Sequence, residues 1–456
     1  MSWRPCPSGA RRGWLRAALA SLLLAPAAGA QAAAAPDTSV TAFVEASVIP
    51  LDAERVLRGH TVLVRDGRIV AVGPSAEVEV PPGARRIDAE GKYLIPGLAE
   101  MHGHVPPPEA PAGTTESVLF LYLANGITTV RGMLGAPGQL ALRERANRGE
   151  VLSPTLYLAG PSFNGASVDT PEQAVRMVRA QKAEGWDLLK VHPGLTRAEY
   201  DGMARAAHQE GIRFGGHVPG EVGLLHALEM GQETFDHVDG FIPYLRGFQG
   251  PVDSVRLADA VRRTRDAGAW IVPTMALWEV LYSVGDLDSL RAYPELRYVP
   301  AREVEEWTAA FRQRSQHPQY DATMARRMIE NRVHVLRALH RGGAGILMGT
   351  DAPQEFSVPG FSLHRELGRM RQAGMSPYEI LVTGTRNVGE YFRGKDSFGT
   401  VAVGRRADLV LLDANPLQDV ANLQRIAGVM VRGRWVPRAE IRDRLESIAR
   451  SARSGS

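Results

Sequence analysis

Eight short apolar segments alternate with helix-like stretches between about residues 97 and 395. The predicted strands are Ile95–Met101, Gly126–Arg131, Thr155–Ala159, Asp187–Val191, Arg213–His217, Glu233–His237, Ala269–Thr274 and Ala344–Thr350. Helices are predicted between several of them, at Pro171–Glu184, Arg197–Gln209 and Gly223–Glu229, and extra helices are expected from Arg291 to Leu339. Eight such alternations predict an α/β fold, the (β/α)8 TIM barrel, in which the active site lies at the C-terminal ends of the strands.

The two ends of the chain have a different pattern, with short β-like segments separated by turns. Two apolar runs surround Asp66-Gly67, which is a strong signal for a tight hairpin. Similar β-like segments return after residue 396. We therefore predict one composite β domain built from residues 37–96 and 396–440, around a barrel at 97–395, with two separate β appendages as the alternative.

Residues 1–30 contain four arginines and no acidic residue, followed by an apolar run from Ala17 to Ala28 and then by small residues. This layout predicts a cleavable signal peptide and hence a periplasmic or secreted protein. The alternative is the amphipathic start of a cytosolic protein. Arg11-Arg12 faintly resembles a twin-arginine signal. The apolar run is too short to span a bilayer, so no membrane anchor is expected.

Charge and cysteine content narrow the function classes further. Beyond the predicted signal, 49 basic and 50 acidic residues nearly balance, which gives no electrostatic case for nucleic acid as a partner. Cys6 is the one cysteine and lies inside the predicted signal. The mature chain would therefore contain no disulfide and no thiolate nucleophile, and any metal would be bound through nitrogen and oxygen ligands.

His102 and His104 close the first predicted strand, and side chains two positions apart on a strand point to the same face. Two adjacent imidazoles form a natural half of a metal site, and a hydrogen-bonded histidine pair is the alternative. Further candidate ligands fall at the ends of the fourth, fifth, sixth and eighth strands: Lys190, His217, His237 and Asp351. This convergence predicts a metal site at the mouth of the barrel.

Lysine is scarce in this chain, with 4 lysines against 49 arginines. A lysine amine can lose its proton and react when it is buried, whereas a guanidinium stays charged. Lys190 is therefore a candidate for a chemical role, and a lysine paired with a nearby acid is the alternative.

Several motifs together resemble the amidohydrolase superfamily over about residues 40–437. They are Leu347-Met-Gly-Thr-Asp351, His364-Arg-Glu-Leu, Thr385-Arg-Asn387 and the closing segment Gly404–Pro416, read alongside the His-x-His pair. They are most similar to the imidazolonepropionase-related branch, which contains metal-dependent, prolidase-like dipeptidases. The resemblance implies a (β/α)8 TIM barrel with a small composite β-sandwich domain formed by the N- and C-terminal segments.

The resemblance also implies a role for each candidate ligand at a site with two divalent metal ions, zinc being the expected metal. His102, His104 and Asp351 would bind the first metal, and His217 and His237 the second. Lys190 would be N-carboxylated and bridge the two. A metal-bridging hydroxide would attack the substrate, and Asp351 would act as catalytic proton shuttle.

The function expected from the resemblance is an exported metal-dependent amidohydrolase that cleaves an amide or peptide bond in a small molecule, such as a dipeptide or N-acyl amino acid. Alternatives are a lactonase or phosphotriesterase-like esterase, a one-metal hydrolase with unmodified Lys190, and a non-catalytic binding homologue. A deaminase is disfavoured, because deaminases of the superfamily typically carry His-x-x-Glu after strand five and His217 is followed by Val-Pro-Gly220. The sequence leaves a homo-oligomer open.

Three residues are candidates for contacting the substrate, each with a structural alternative. His192 shares a strand face with Lys190 but could cap the next loop. Arg131 could pair with a substrate carboxylate or form a structural ion pair. His364 could reach the substrate or simply begin a helix. The chain departs from the family pattern at Gly132 and at the stiff Pro106-Pro-Pro108, so the resemblance does not transfer a substrate.

Overall fold

The computed structural model describes residues 40–454. The predicted signal peptide, residues 1–30, and the first three residues of the predicted β domain lie outside this range. Within the described range, no helix combines the length and apolar character needed to cross a bilayer.

Strands from both ends of the chain form one eight-stranded sheet, in the order β16-β15-β14-β5-β1-β2-β3, with β4 pairing with β1. Their bounds are β1 Val40–Val48, β2 Leu57–Arg65, β3 Arg68–Pro74, β4 Arg85–Asp88, β5 Tyr93–Pro96, β14 Leu409–Leu412, β15 Ile426–Val431 and β16 Arg434–Pro437. The two chain ends meet where β5 pairs antiparallel with β14. The division of these strands into the two layers of a sandwich stays a prediction.

Side-chain packing also joins the two ends of the chain. The rings of Phe43 on β1 and Trp435 on β16 meet edge to face at a centroid distance of 5.2 Å. The hairpin predicted at Asp66-Gly67 is confirmed, because β2 and β3 pair antiparallel on either side of it. Both turn residues have positive φ, 49° and 72°, which suits the right-handed twist of a two-residue hairpin and favours glycine at the second position.

All eight strands predicted between residues 95 and 350 are present and run parallel in two sheets. They are β6 Leu98–Gly103, β7 Ile127–Gly132, β8 Thr155–Leu158, β9 Leu188–Val191, β10 Arg213–Gly216, β11 Thr234–Asp236, β12 Trp270–Val272 and β13 Gly345–Ile346. The sheets have the orders β6-β7-β8 and β13-β12-β11-β10-β9. A parallel bridge joins Ala159 to Leu188, and the amide of Met101 donates to the carbonyl of Met348 at 2.9 Å.

The last parallel strand is shorter than predicted. It ends at Ile346 rather than Thr350. Beyond it, the Leu347 amide still donates to the carbonyl of Ile271 on β12, whereas the Met348 amide donates to the carbonyl of Thr383 on a helix. This irregular stretch carries the chain to Asp351.

Helices follow most of the parallel strands, and the three helices predicted there are confirmed to within one residue. The α-helices are α1 Thr114–Ala124, α2 Gln139–Asn147, α3 Pro171–Glu184, α4 Arg197–Glu210, α5 Gly223–Glu229, α6 Phe241–Tyr244, α7 Ser254–Asp266, α8 Met275–Leu281, α9 Leu287–Arg291, α10 Ala301–Ser315, α11 Ala322–Arg341, α12 Ser362–Gln372, α13 Pro377–Thr383, α14 Arg386–Tyr391 and α15 Arg438–Ser454. Two 3-10 helices lie at Pro294–Tyr298 and Val420–Gln424.

The extra helices expected between Arg291 and Leu339 are the 3-10 turn at 294–298, α10 and most of α11. Helix α15 was not predicted. Its Ile441, Leu445 and Ile448 pack with Phe120 and Leu123 of α1, so it covers the outside of the first strand–helix unit.

Replacing Leu411 with alanine tests the sheet that joins the chain ends. Leu411 is 1% exposed and packs in the apolar cluster of this sheet, so its truncation should lower the free energy of unfolding by about 2–5 kcal/mol. Val403→Ala is the control, because Val403 is 63% exposed and its truncation should cost less than about 0.5 kcal/mol. Denaturant unfolding measures both, and equal losses would contradict the placement of Leu411.

Candidate metal centre

The strand ends bring the six predicted ligands to one edge of the parallel sheets. His102 lies in β6 and His104 directly follows that strand, while Lys190 lies in β9. The remaining three follow β10, β11 and β13: His217, His237 and Asp351. Because the strands are parallel, their C-terminal ends all face the same side.

The side chains of these residues are in contact. The Nε2 atom of His102 lies 3.1 Å from the Nζ atom of Lys190. The His104 ring donates a 2.5 Å hydrogen bond from Nε2 to an Asp351 carboxylate oxygen. The ring of His237 lies between those of His102 and His217, at 4.4 Å from each centroid. The sequence-predicted ligands thus form one cluster.

The donor atoms of this cluster fit a divalent cation. One ligand atom each from His102, His237 and Asp351 lies within 4.8 Å of the other two. The Nε2 atom of His237 is buried and has no hydrogen-bond partner among the described residues. A buried imidazole nitrogen without a partner is costly, and a metal ion would satisfy it. Imidazole nitrogens with carboxylate oxygens suit zinc and related transition metals.

Three of the histidines are oriented by a partner on their Nδ1 atom. His102 donates to Asp236 at 2.7 Å and His217 donates to Asp239 at 2.6 Å. His237 lies 2.7 Å from the hydroxyl of Thr274. The two carboxylates require a proton on Nδ1 of His102 and His217, which leaves Nε2 of each ring available as a ligand, and the Thr274 hydroxyl orients the ring of His237. The three partners were missed in the sequence, although the two aspartates flank His237 in Asp-His-Val-Asp.

Asp236 is fully buried and has a second partner. Arg131, also fully buried, points its NH2 group at both carboxylate oxygens of Asp236 at 3.3 Å. Its Nε atom donates to the carbonyl of Met101 at 2.6 Å, and NH1 lies 3.3 Å from the Tyr391 hydroxyl. Of the two roles considered for Arg131, the structure shows the ion pair. A substrate carboxylate would have to displace Asp236 from a core without solvent access.

Burial sets the charge state of the site. Desolvation lowers the pKa of Lys190 to about 8, so roughly a tenth of the amine is neutral at pH 7. Burial also lowers the pKa of His102 and of His237 well below the usual value, with nearby Lys190 adding repulsion. Neutral imidazoles have a free lone pair, which is the form that binds a metal.

Gly216 leaves space for the side chain of Lys190. A Cβ atom at this position would lie 3.0 Å from Cδ of Lys190 and 2.5 Å from the carbonyl oxygen of Val191. Its φ of 124° is also one that other residues rarely adopt. Gly216 is thus explained by its backbone conformation and by the passage of the lysine, whereas a Cβ atom at Gly215 would lie 2.1 Å from the hydroxyl of Thr234.

Glu100 is a second buried acid that sequence analysis missed. It has no exposed surface, and it accepts hydrogen bonds from the amides of His102 and Thr350 at 2.9 and 2.8 Å. It also accepts from the Thr350 hydroxyl at 2.6 Å. Burial raises the pKa of Glu100 to about 8. The carboxyl group joins the His102 strand to the turn before Asp351. Its place two residues before His102, on the same strand face, is the signal that could have found it.

Arg332 reaches the site from the extra helix α11. It is 4% exposed, and its guanidinium stacks on the ring of Trp278 at 3.9 Å. It donates a hydrogen bond to the carbonyl of His237 and lies 4.0 Å from Asp239, the partner of His217. Through Arg332, the extra helix α11 therefore supports His237 directly and His217 by way of Asp239.

The backbone at the strand ends is strained. His237, Val238, Thr274 and Asp351 all have positive φ, between 47° and 65°. This region is unfavourable for residues with a Cβ atom, above all for a β-branched valine. Such strain persists where surrounding contacts over-determine it and is concentrated at functional sites.

The two other candidate substrate residues are both half-buried and have different neighbours. The ring of His192 stacks on that of His217 at 4.9 Å, and its Nδ1 atom is buried without a hydrogen-bond partner among the described residues. Burial lowers the pKa of His192 to about 3. His364 lies in the first turn of α12 and bonds to the side chain of Asn125 at 3.2 Å. A substrate role for either histidine stays a prediction.

Known proteins resemble this chain over most of its length. The model of the amidohydrolase family matches residues 93–436. A provisionally assigned prolidase from Bifidobacterium longum superposes with a TM-score of 0.69 at 25% identity, covering 91% of this chain and 100% of that one. A bottromycin amidohydrolase superposes with a TM-score of 0.72 at 24% identity, covering 92% of each chain.

A more distant similarity is to adenine deaminases. The protein from Paracoccus denitrificans is 28% identical over 203 residues, which cover 40% of this chain and 33% of the relative. The chain thus spans about a third of the length of that curated relative.

Removal of the Asp239 carboxylate should loosen metal binding. Asp239→Ala frees the ring of His217 to rotate, and loss of such an orienting partner lowers metal affinity by about 10- to 100-fold. Competition with a zinc chelator measures the affinity. Asp201→Ala is a matched control, because Asp201 forms a 2.6 Å bond to His226 away from the cluster. An equal effect of both variants would contradict a metal-orienting role for Asp239.

Proposed function

The chain belongs to the amidohydrolase family, and we propose that it is a metal-dependent hydrolase that cleaves an amide or peptide bond in a small substrate. The observation that carries this proposal is the buried cluster of imidazoles, Lys190 and Asp351 at the strand ends, with an unpartnered nitrogen on His237. The leading substrates are dipeptides and N-acyl amino acids. The resemblance to a provisionally assigned prolidase supports the peptide bond as the target.

The proposal includes a closed (β/α)8 barrel and a composite β-sandwich beside it. The parallel bridge between Ala159 and Leu188 supports closure between β8 and β9. The hydrogen bond from Met101 to Met348 supports closure between β6 and the segment after β13. Export to the periplasm or medium is proposed from residues 1–30 alone.

Two divalent metal ions, zinc by preference, would be held by the six clustered residues. His102, His104 and Asp351 would hold one ion, His217 and His237 the other, and Lys190 both. Such ions supply a water of lowered pKa and polarise the scissile carbonyl. The site excludes bulk water from its floor, since Lys190, His102 and His237 are at most 1% exposed.

Lys190 would act as an N-carboxylated bridge. A neutral amine can add to carbon dioxide and release one proton, which leaves a carbamate anion with two oxygens. Its surroundings favour this reaction, because burial holds the pKa of the amine near 8. A one-metal site with an unmodified Lys190 is the alternative.

Asp351 would move the proton during hydrolysis. Asp351 is 8% exposed, whereas Asp236 and Glu100 have no exposed surface, and its carboxylate already accepts a hydrogen bond from His104. It would take a proton from the attacking water and give it to the leaving amine nitrogen, so that the carboxylate is regenerated in each cycle.

Two other reactions remain as alternatives on the same site. Esters, lactones and phosphotriesters can be attacked by the same activated water. Deamination of adenine is suggested by the distant relatives, but His217 is followed by Val-Pro-Gly220, without the glutamate typical of deaminases.

A hydrolysis screen tests the proposed reaction. Zinc- and bicarbonate-loaded protein should hydrolyse dipeptides or N-acyl amino acids, and Asp351→Asn should reduce kcat by about 10²- to 10⁴-fold, because the proton acceptor is lost. Release of free amine measures turnover, with adenine, lactones and phosphotriesters assayed in parallel. If the protein turned over adenine, lactones or phosphotriesters but no dipeptide or N-acyl amino acid, the peptidase proposal would be overturned.

The carbamate has a separate test. Protein incubated with ¹³C-bicarbonate should give a carbamate carbonyl signal by NMR that Lys190→Ala abolishes and Lys182→Ala retains, since Lys182 is exposed on α3. At fixed dissolved CO2 the loading rate should rise about tenfold per pH unit and level off above about pH 8, because the neutral amine reacts. A wild-type protein without the signal would contradict carboxylation.

A further inference from the structure

A cavity of about 910 Å³ opens beside the cluster of candidate metal ligands. His104 forms part of its wall, and so do Pro353 and Gln354, which follow Asp351 after one further residue. A molecule in this cavity would therefore contact the same imidazole that bonds to Asp351. Through His104, the cavity borders the site at which the proposed reaction would take place.

Five separate segments build the walls of the cavity, and most of their side chains are apolar. They are the proline-rich stretch 104–121, residues 134–136 and 139, the segment 298–307 at the start of the extra helices, residues 353–359 after Asp351, and residues 448–452 of α15. The proline-rich stretch includes Pro106 and Pro107, where the chain departs from the family pattern. Rigid apolar walls favour an apolar ligand over a solvated one.

The size of the cavity argues against a pair of small residues as its occupant. Pockets for drug-sized ligands range from roughly 300 to 1,000 Å³. The volume of this cavity lies near the upper end of that range. A bulky group, aromatic or long aliphatic, is needed to fill it and displace its water.

The charge on the cavity lining is negative. Among residues 40–454, no lysine or arginine lines the cavity, and Glu303 is the one carboxylate that does. Glu303 is half-buried and forms no ion pair with a basic side chain among residues 40–454. Burial raises the pKa of Glu303, and the neighbouring Glu306 adds to the rise. A cationic ligand group would offset the cost of this half-buried carboxylate.

Trp307 also lines the cavity and lies four residues after Glu303 on α10. Residues at this spacing share one side of a helix. A carboxylate next to an indole ring is a suitable pair for an ammonium group, because both the charge and the face of the ring attract a cation.

We propose that the site acts on amides with a large apolar portion that bears a positively charged group, with the cavity holding the apolar portion and Glu303 and Trp307 binding the cation. This inference rests on the proposed amide hydrolysis. A carboxylate on the same portion of the substrate is disfavoured, because it would meet Glu303 and no basic side chain. The carboxylate of an ordinary dipeptide would have to lie on the other side of the scissile bond.

The experiment compares amides that differ only in their terminal group. Anilides of six-carbon acids carry an ammonium, a methyl or a carboxylate group at the far end of the acyl chain. N-benzoyl pentylamines with the same three ends form the inverse series, with the charge on the amine portion. Turnover is followed by product release, and affinity by calorimetric titration of the zinc-loaded protein.

In at least one series, the ammonium compound should exceed the methyl compound by about tenfold in affinity or kcat/KM, and the carboxylate compound should be the poorest. Glu303→Gln should bring the ammonium-to-methyl ratio close to one. Glu306→Gln is the matched control on the same helix, since Glu306 is exposed and paired with Arg302 at 2.8 Å. Trp307→Leu should lower the ratio partway.

The outcomes separate the inference from the proposed reaction. Selective binding of the ammonium compounds without turnover of any amide would support the cavity and overturn the proposed function. Turnover of amides with equal ratios in wild type and Glu303→Gln would support amide hydrolysis and overturn the cation site. A preference for the carboxylate compounds would also overturn it.

Discussion

The rest of the site depends on the contacts of one buried carboxylate, that of Asp236. It has no exposed surface, and it links the guanidinium of Arg131 to the ring of His102. A charge in such a place is tolerated only when it is paired and hydrogen-bonded, so the position of each partner is constrained by the other two. Through this link, the orientation of His102 is set by the second and sixth parallel strands together.

Much of the fold could be predicted because its repeating unit leaves a local signal. All eight parallel strands and the hairpin at Asp66-Gly67 follow from apolar runs and turn residues within short windows. The cluster of candidate ligands could also be predicted, since the ends of parallel strands meet at one edge of the sheets. His217 and His237 are the clearest cases, because each directly follows a short strand.

Features that depend on contacts between distant parts of the chain could not be predicted. Arg332 supports His237 across 95 positions, and Glu100 bonds to Thr350 across 250. Nothing in the local sequence around either residue indicates its partner. Helix α15 was missed for a related reason, since its apolar side packs on α1, more than 300 positions earlier, as well as on the strands that precede it. Just after β13, the Met348 amide bonds to the carbonyl of Thr383, a contact that no strand pattern encodes.

The walls of the large cavity come from segments that carry none of the candidate ligands apart from His104. The stretch 298–307 and the last turns of α15 can therefore vary without disturbing the parallel strands that hold the imidazoles. Selection for reactivity would therefore act on the strand ends, and selection for substrate range would act on the cavity walls. Substitutions in two peripheral helices, α10 and α15, could change which substrates bind in descendants of this protein, while the residues that carry out the reaction stay the same.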